Sequence, residues 1–230
     1  MARGVISDQA IGVSIVVPLL NEEAVVPSLI AQLDSIEVEQ ILIVDGGSTD
    51  ATRQLLRSAG YDVIDSDAGR AQQMNLGANL ATQQMLLFLH ADTQLPECFR
   101  VELAKAEVWG RFDVSFSSPS KAMNTVAYFM NLRSRISGVA TGDQAIFVDR
   151  CVFESVGGFP DFPRMEDVAL SKRLRQLHRP FNSYAKVRTN ARRWEQHGVV
   201  KTIFKMWWCR LAYFFGVSPT RLKRGYDDVR

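Results

Sequence analysis

VSIVVPLLNEE, from Val13 to Glu23, and ILIVDGGSTD, from Ile41 to Asp50, decide the fold of this chain. Each is an apolar, β-branched run that stops abruptly at residues able to hold a ligand: Asn21 and Glu22 after the first, Asp45, Ser48 and Asp50 after the second. Continuous apolar runs of this length read as strands buried on both faces. Working outward, strands are expected at 13–17, 41–44, 61–64 and 85–89, with helices at 22–33, 50–59 and 71–81 between them. Asn21 and Thr49 are read as the N-caps of the first two helices. Short buried strands alternating with helices imply an α/β fold with a mainly parallel sheet. In such sheets ligands bind outside the carboxyl ends of the strands, and a nucleotide suits that crevice. Beyond Pro96 the pattern loosens: a helix to about 108, a strand near 114–117, a long helix at 121–136, a strand at 145–148 and a helix at 167–177.

The 230 residues, 47% hydrophobic and 23% charged, suffice for one sizeable core, so a single domain is expected over 1–217. Its nucleotide half spans about 13–95 and its acceptor half about 96–195, followed by an amphipathic helix at 197–216 and a basic tail at 218–230. Cys98, Cys151 and Cys209 are far apart and odd in number, which supports neither a disulfide framework nor a CxxC metal site. The N-terminal residues lack the apolar core of a signal peptide, and no run approaches the roughly 18 apolar residues of a spanning helix. A cytoplasmic protein is expected, at the inner face of the membrane if the last helix lies on it.

The net charge of +2 conceals an uneven distribution: from Lys186 to Arg224 ten Lys or Arg face one acid, Glu195. A phosphate-bearing substrate or an anionic membrane would supply the counter-charge. No nucleic-acid recognition motif accompanies it.

Four clusters carry chemistry. Asp45 with Gly46, Gly47, Ser48 and Thr49 reads equally well as a ribose- or base-binding strand end and as an ordinary turn. His90-Ala91-Asp92 follows the strand LLFL, where Asp92 suits a hard divalent cation bridged to a diphosphate, and His90 suits it less. Glu166-Asp167 opens a helix after a Gly- and Pro-bounded loop, a setting that favours both the helix dipole and general base work. Arg192-Arg193-Trp194 offers guanidinium groups for phosphate and an aromatic face for a sugar.

Together with GRAQQMNLGA, FLHADT, TGDQAIFV, GGFPDFPRMEDVALSKRL and NARRW, these stretches resemble, in order and from about Val13 to Trp194, the family 2 glycosyltransferases with the GT-A fold. The similarity is greatest to small bacterial members, among them proteins assigned to arsenosugar biosynthesis. The resemblance implies a Rossmann-like, mainly parallel mixed sheet flanked by helices. It also implies inverting transfer from a nucleotide-diphosphate sugar to an acceptor hydroxyl with Mg2+ or Mn2+. It places Pro18, Asn21, Glu22 and Asp45 in the nucleoside pocket, Gly69, Arg70 and Asn75 along ribose and diphosphate, and Arg193 on the donor. Asp92 becomes the metal-binding acid, with His90 and His197 as further candidate ligands, and Asp167 the catalytic base. Gly142, Asp143, Glu166 and Trp194 fall on the acceptor side.

Three departures stand out: Gly46 and His90 where members carry aspartates, and Asn190 where the Gln of a Gln-x-x-Arg-Trp motif belongs. Two rival functions share the core, a sugar-nucleotide-forming nucleotidyltransferase and a non-catalytic sugar-nucleotide-binding module. The first calls for a basic Gly-rich N-terminal loop where VPLLNEE is acidic, and the second has no need of Glu166-Asp167. The acceptor is open, a lipid-linked one included. Val200, Ile203, Phe204, Trp207, Trp208, Leu211, Phe214 and Phe215 recur at helical spacing. That stripe either closes the core or lies on a membrane.

Overall fold

The computed structural model describes residues 11–118 and 120–191, with isolated positions between 202 and 217. Eight strands form one sheet in the order β3-β2-β1-β4-β7-β6-β8-β5. Its first half is the expected succession of β1 (Val13–Leu19), α1 (Val26–Ser35), β2 (Gln40–Asp45), α2 (Thr52–Ser58), β3 (Val63–Asp65), α3 (Arg70–Leu80) and β4 (Met85–Phe88). β1 pairs in parallel with β2 and β4, and β2 with β3. The second half comprises β5 (Thr93–Gln94), α4 (Phe99–Leu103), β6 (Trp109–Phe116), α5 (Lys121–Ser137), β7 (Phe147–Asp149), α6 (Arg150–Ser155), α7 (Glu166–Leu177) and β8 (Phe181–Thr189). Here β7 runs antiparallel to β4 and β6, while β6 and β8 are parallel. The sheet is therefore mixed and mainly parallel, and among the described residues no helix is long and apolar enough to cross a membrane.

Why the runs are apolar throughout is clear at β1. Ile15 and Val17 point into a core shared with α1, α4 and α5, whereas Val16 points into a second core with α3, α6 and α7. A strand covered on both faces has no polar side to alternate with.

Three expectations need correction. Asn21 and Thr49 are not caps: α1 begins at Val26 and α2 at Thr52, neither with a side-chain cap. The helix expected to run to about 108 is the five-residue α4, and Trp109 already opens β6. β8, nine residues long, lies in a segment where no strand was expected. Its signal was the alternation of Ser183, Ala185, Val187 and Thr189 with the outward Tyr184, Lys186 and Arg188.

α5 is fastened to the sheet by charge. Arg111, fully buried on β6, bonds Asp113, and Asp113 bonds Arg135 of α5 at 2.7 Å. Asn131 of α5 completes the fastening, accepting from the Val114 amide at 2.8 Å and donating to its carbonyl at 3.0 Å.

Candidate active site

The polar clusters that end β1 and β2 bind one another. Asn21, at φ 54°, donates its amide to Ser48 Oγ and accepts from the Thr49 amide, both at 2.8 Å. The Glu22 amide donates to Thr52 Oγ1 at 2.8 Å, and Glu23 Oε2 accepts from the Ala51 amide at 3.0 Å. Asp45 is fully buried and accepts from the Gly47 amide at 2.9 Å, the Ser48 amide at 2.8 Å and the Ser48 hydroxyl. As it stands, its carboxylate shapes the turn from beneath.

Beside that turn, Gln73 of α3 donates to the carbonyls of Leu19 at 2.6 Å and Val44 at 2.8 Å, at the carboxyl ends of β1 and β2. A Cβ on Gly46 would lie 3.0 Å from Gln73 Cδ. The glycine at this position and the glutamine brace are thus matched.

α3 carries the next residues. Gly69 precedes it, and Arg70 is its first residue, with Nη1 4.0 Å from Glu166 Oε1. Asn75 is taken up by the loop before α7: Nδ2 donates to the Phe159 carbonyl at 2.8 Å and Oδ1 accepts from its amide at 2.9 Å.

Met165, at φ 65°, turns the chain sharply into α7, so that Glu166 and Asp167 open the helix. Asp167 Oδ2 accepts from the Gly142 amide at 2.8 Å, which fixes the carboxylate over the 3-10 turn Gly142–Gln144. Glu166 is buried, and burial first, then the charge of Asp167, push its carboxyl above the ordinary glutamate range, with Arg70 opposing. His90 packs under the same turn: a Cβ on Gly142 would fall 2.5 Å from its ring, and His90 Nδ1 is 3.5 Å from Asp143 Oδ1. Arg70, His90, Gly142, Asp143, Glu166 and Asp167 therefore converge from four separate segments of the chain.

Asp92 is half-buried in the turn between β4 and β5, where it accepts a 3.3 Å bond from the Thr93 hydroxyl. It lines a cavity of about 330 Å³ with Gln32, Ser117, Arg188 and Asn190. Arg188, at a position the sequence did not mark as a site, also lines this space; Gln73 was likewise missed, since its role is a contact across the fold. Among the described residues no three His, Cys, Asp or Glu side chains gather as a metal cage. A lone carboxylate still suits a hard cation that takes the rest of its shell from water and a diphosphate. Arg193, Trp194 and His197 lie outside the described residues.

The model of the glycosyl transferase family 2 matches residues 14–150. The chain belongs to that family. Among curated relatives, the PGL/p-HBAD biosynthesis glycosyltransferases of Mycobacterium bovis and Mycobacterium tuberculosis are 42% identical over 96 residues, 36% of this chain and 36% of theirs. The match thus spans about a third of those proteins. Among solved structures, the mannosyltransferase PcManGT from Pyrobaculum calidifontis, in complex with GDP-Man and Mn2+, covers 79% of this chain and 57% of its own at a TM-score of 0.59 and 16% identity. TarS from S. aureus, in complex with UDP-GlcNAc, covers 78% and 58% at 0.63 and 16%. The fold is that of the GT-A glycosyltransferases.

Proposed function

We propose that this glycosyltransferase moves a sugar from a nucleotide-diphosphate donor to an acceptor hydroxyl with inversion at the anomeric carbon. The observation that carries the reading is Asp167, held by the Gly142 amide at 2.8 Å at the mouth of α7. A base fixed in this way can take the acceptor proton as the oxygen attacks the face opposite the leaving diphosphate. One such base suffices for inversion, with no covalent sugar on the protein. Arg70, half-exposed and facing the same space, suits the charge that develops on the diphosphate. The nucleoside is assigned to Pro18, Asn21, Glu22 and the Asp45 turn, the ribose and diphosphate side to Gly69, Arg70 and Asn75, and the acceptor side to Gly142, Asp143 and Glu166.

A divalent cation, Mg2+ or Mn2+, is assigned to Asp92 with His90 beside it, and it would supply positive charge against the diphosphate. The complexes of PcManGT with GDP-Man and Mn2+, and of the glucosyl-3-phosphoglycerate synthase of Mycobacterium tuberculosis with Mn2+ and UDP-glucose, support that assignment by analogy.

The test is a panel of nucleotide sugars screened by thermal shift with and without manganese, followed by determination of the product's anomeric configuration. A donor that raises the melting temperature and yields the inverted anomer is expected. A retained anomer would overturn the mechanism, and the absence of any nucleotide-dependent shift would overturn the donor class.

A further inference from the structure

α5 buries one side and turns an apolar stripe to solvent. Tyr128, Phe129, Leu132 and Ile136 recur at helical spacing, with Ile136 79% exposed and Phe129 60%. Exposed Lys121 opens the same helix, and the stretch from Ser117 to Gly142 contains no Asp or Glu. Arg175 of α7 reaches the end of α5, donating to the Ser137 carbonyl at 2.6 Å. On β8 the outward residues are Tyr184, 78% exposed under the guanidinium of Arg135 at 3.7 Å, then Lys186 and Arg188. That column runs from α5 toward the cavity containing Asp92.

We infer that this face, the α5 stripe with its rim of cations, lies on an anionic membrane surface and brings a lipid-borne acceptor to the cavity beside Asp92. Apolar rings entering the acyl boundary while lysine and arginine meet headgroups is the pattern of an interfacial helix. The exposed cations at the edge of this face, Lys121, Lys186 and Arg188, select anionic over neutral lipid. Two other occupants fit less well. A second copy would set one cationic rim against another. The C-terminal segment is itself basic, and its Phe204 and Trp208, each 72% exposed, are not buried against α5. Delivery of the acceptor rests on the function proposed above; the membrane contact does not.

The full-length chain would be sedimented with phosphatidylcholine vesicles, with and without phosphatidylglycerol, at low and high salt, beside a Y128S/F129S/I136S variant. Wild type is expected to prefer the anionic vesicles, less so in high salt. The variant should lose that partitioning at least tenfold while keeping its melting temperature and its nucleotide-dependent shift. Phe129→Trp gives a second reading that needs no loss of apolar surface: brominated acyl chains should quench its emission beyond that of wild type. Equal binding to neutral vesicles, partitioning unchanged in the triple variant, no extra quenching in Phe129→Trp, or a vesicle-free dimer that the triple variant dissociates would each overturn the inference. Vesicle binding without any nucleotide-dependent shift would instead leave the surface standing and remove the proposed donor site.

Discussion

At the scale of single residues, the adjacent acids Glu166 and Asp167 are separated by environment. Asp167 is partly exposed and oriented by a backbone amide, whereas Glu166 is buried beside Arg70. Asp167→Asn keeps the shape and the Gly142 contact but accepts no proton; turnover should fall roughly 100- to 10,000-fold. Donor affinity, read by titration calorimetry, should change little. Retention of most turnover would assign the base elsewhere. Glu166 makes a different prediction, in stability. Its folded-state pKa is raised by burial and by Asp167, so the native protein holds this proton more tightly than the unfolded chain. That contribution is complete below the unfolded glutamate value and is lost as pH rises through the folded value. Glu166→Gln is neutral at every pH. Its stability relative to wild type should therefore climb across that window, as urea unfolding at stepped pH would reveal; a difference independent of pH would contradict the shift.

At the scale of elements, packing distances decide. α3 approaches β1 so closely that a Cβ on Gly77 would lie 2.4 Å from Val16 Cγ1, inside the core beneath the site. Gly77→Ala should cost about 1–3 kcal/mol as an overpacking change. Because the clash is with one side chain, Val16→Ala in the same chain should recover part of that loss, a coupling that chemical denaturation of the four-member cycle measures. The first-half strands were legible because β1, β2 and β4 are buried on both faces and so read as unbroken apolar runs. The cap residues were misread for a physical reason. Asn21 and Thr49 have the chemistry of N-caps, yet Asn21 uses it on the Thr49 amide, a partner 28 residues away. Asp92 and Asp167 were legible as acids at abrupt element ends. Gln73 was not, since its bonds to Leu19 and Val44 leave no mark in its own neighbourhood. β8 was obscured by its lysine and arginine, which occupy only the outward face.

At the scale of the whole molecule, the sheet brings together two unlike halves. The parallel half ends in the turn built on Asp45, and the antiparallel β7 inserts between β4 and β6 so that Gly142 and α7 face the end of β4. His90 and Asp92 follow β4 directly and stand where the halves meet. On the donor site proposed above, the diphosphate would face Asp92, so carboxylate and phosphate would repel unless a cation stood between them. Adding Mn2+ should therefore strengthen the binding of a nucleoside diphosphate, and ligand at about 100 times its Kd should add roughly 2.7 kcal/mol to apparent stability. Chelator should remove most of that gain. Asp92→Asn weakens the grip on the cation but also relieves the repulsion, so its signature is a smaller difference between Mn2+ and chelator rather than uniformly weaker binding. Calorimetry of wild type and variant with UDP and GDP, each with metal and with chelator, separates the two effects. An equal response to Mn2+ in both proteins would take Asp92 out of the metal's shell and leave the diphosphate to Arg70.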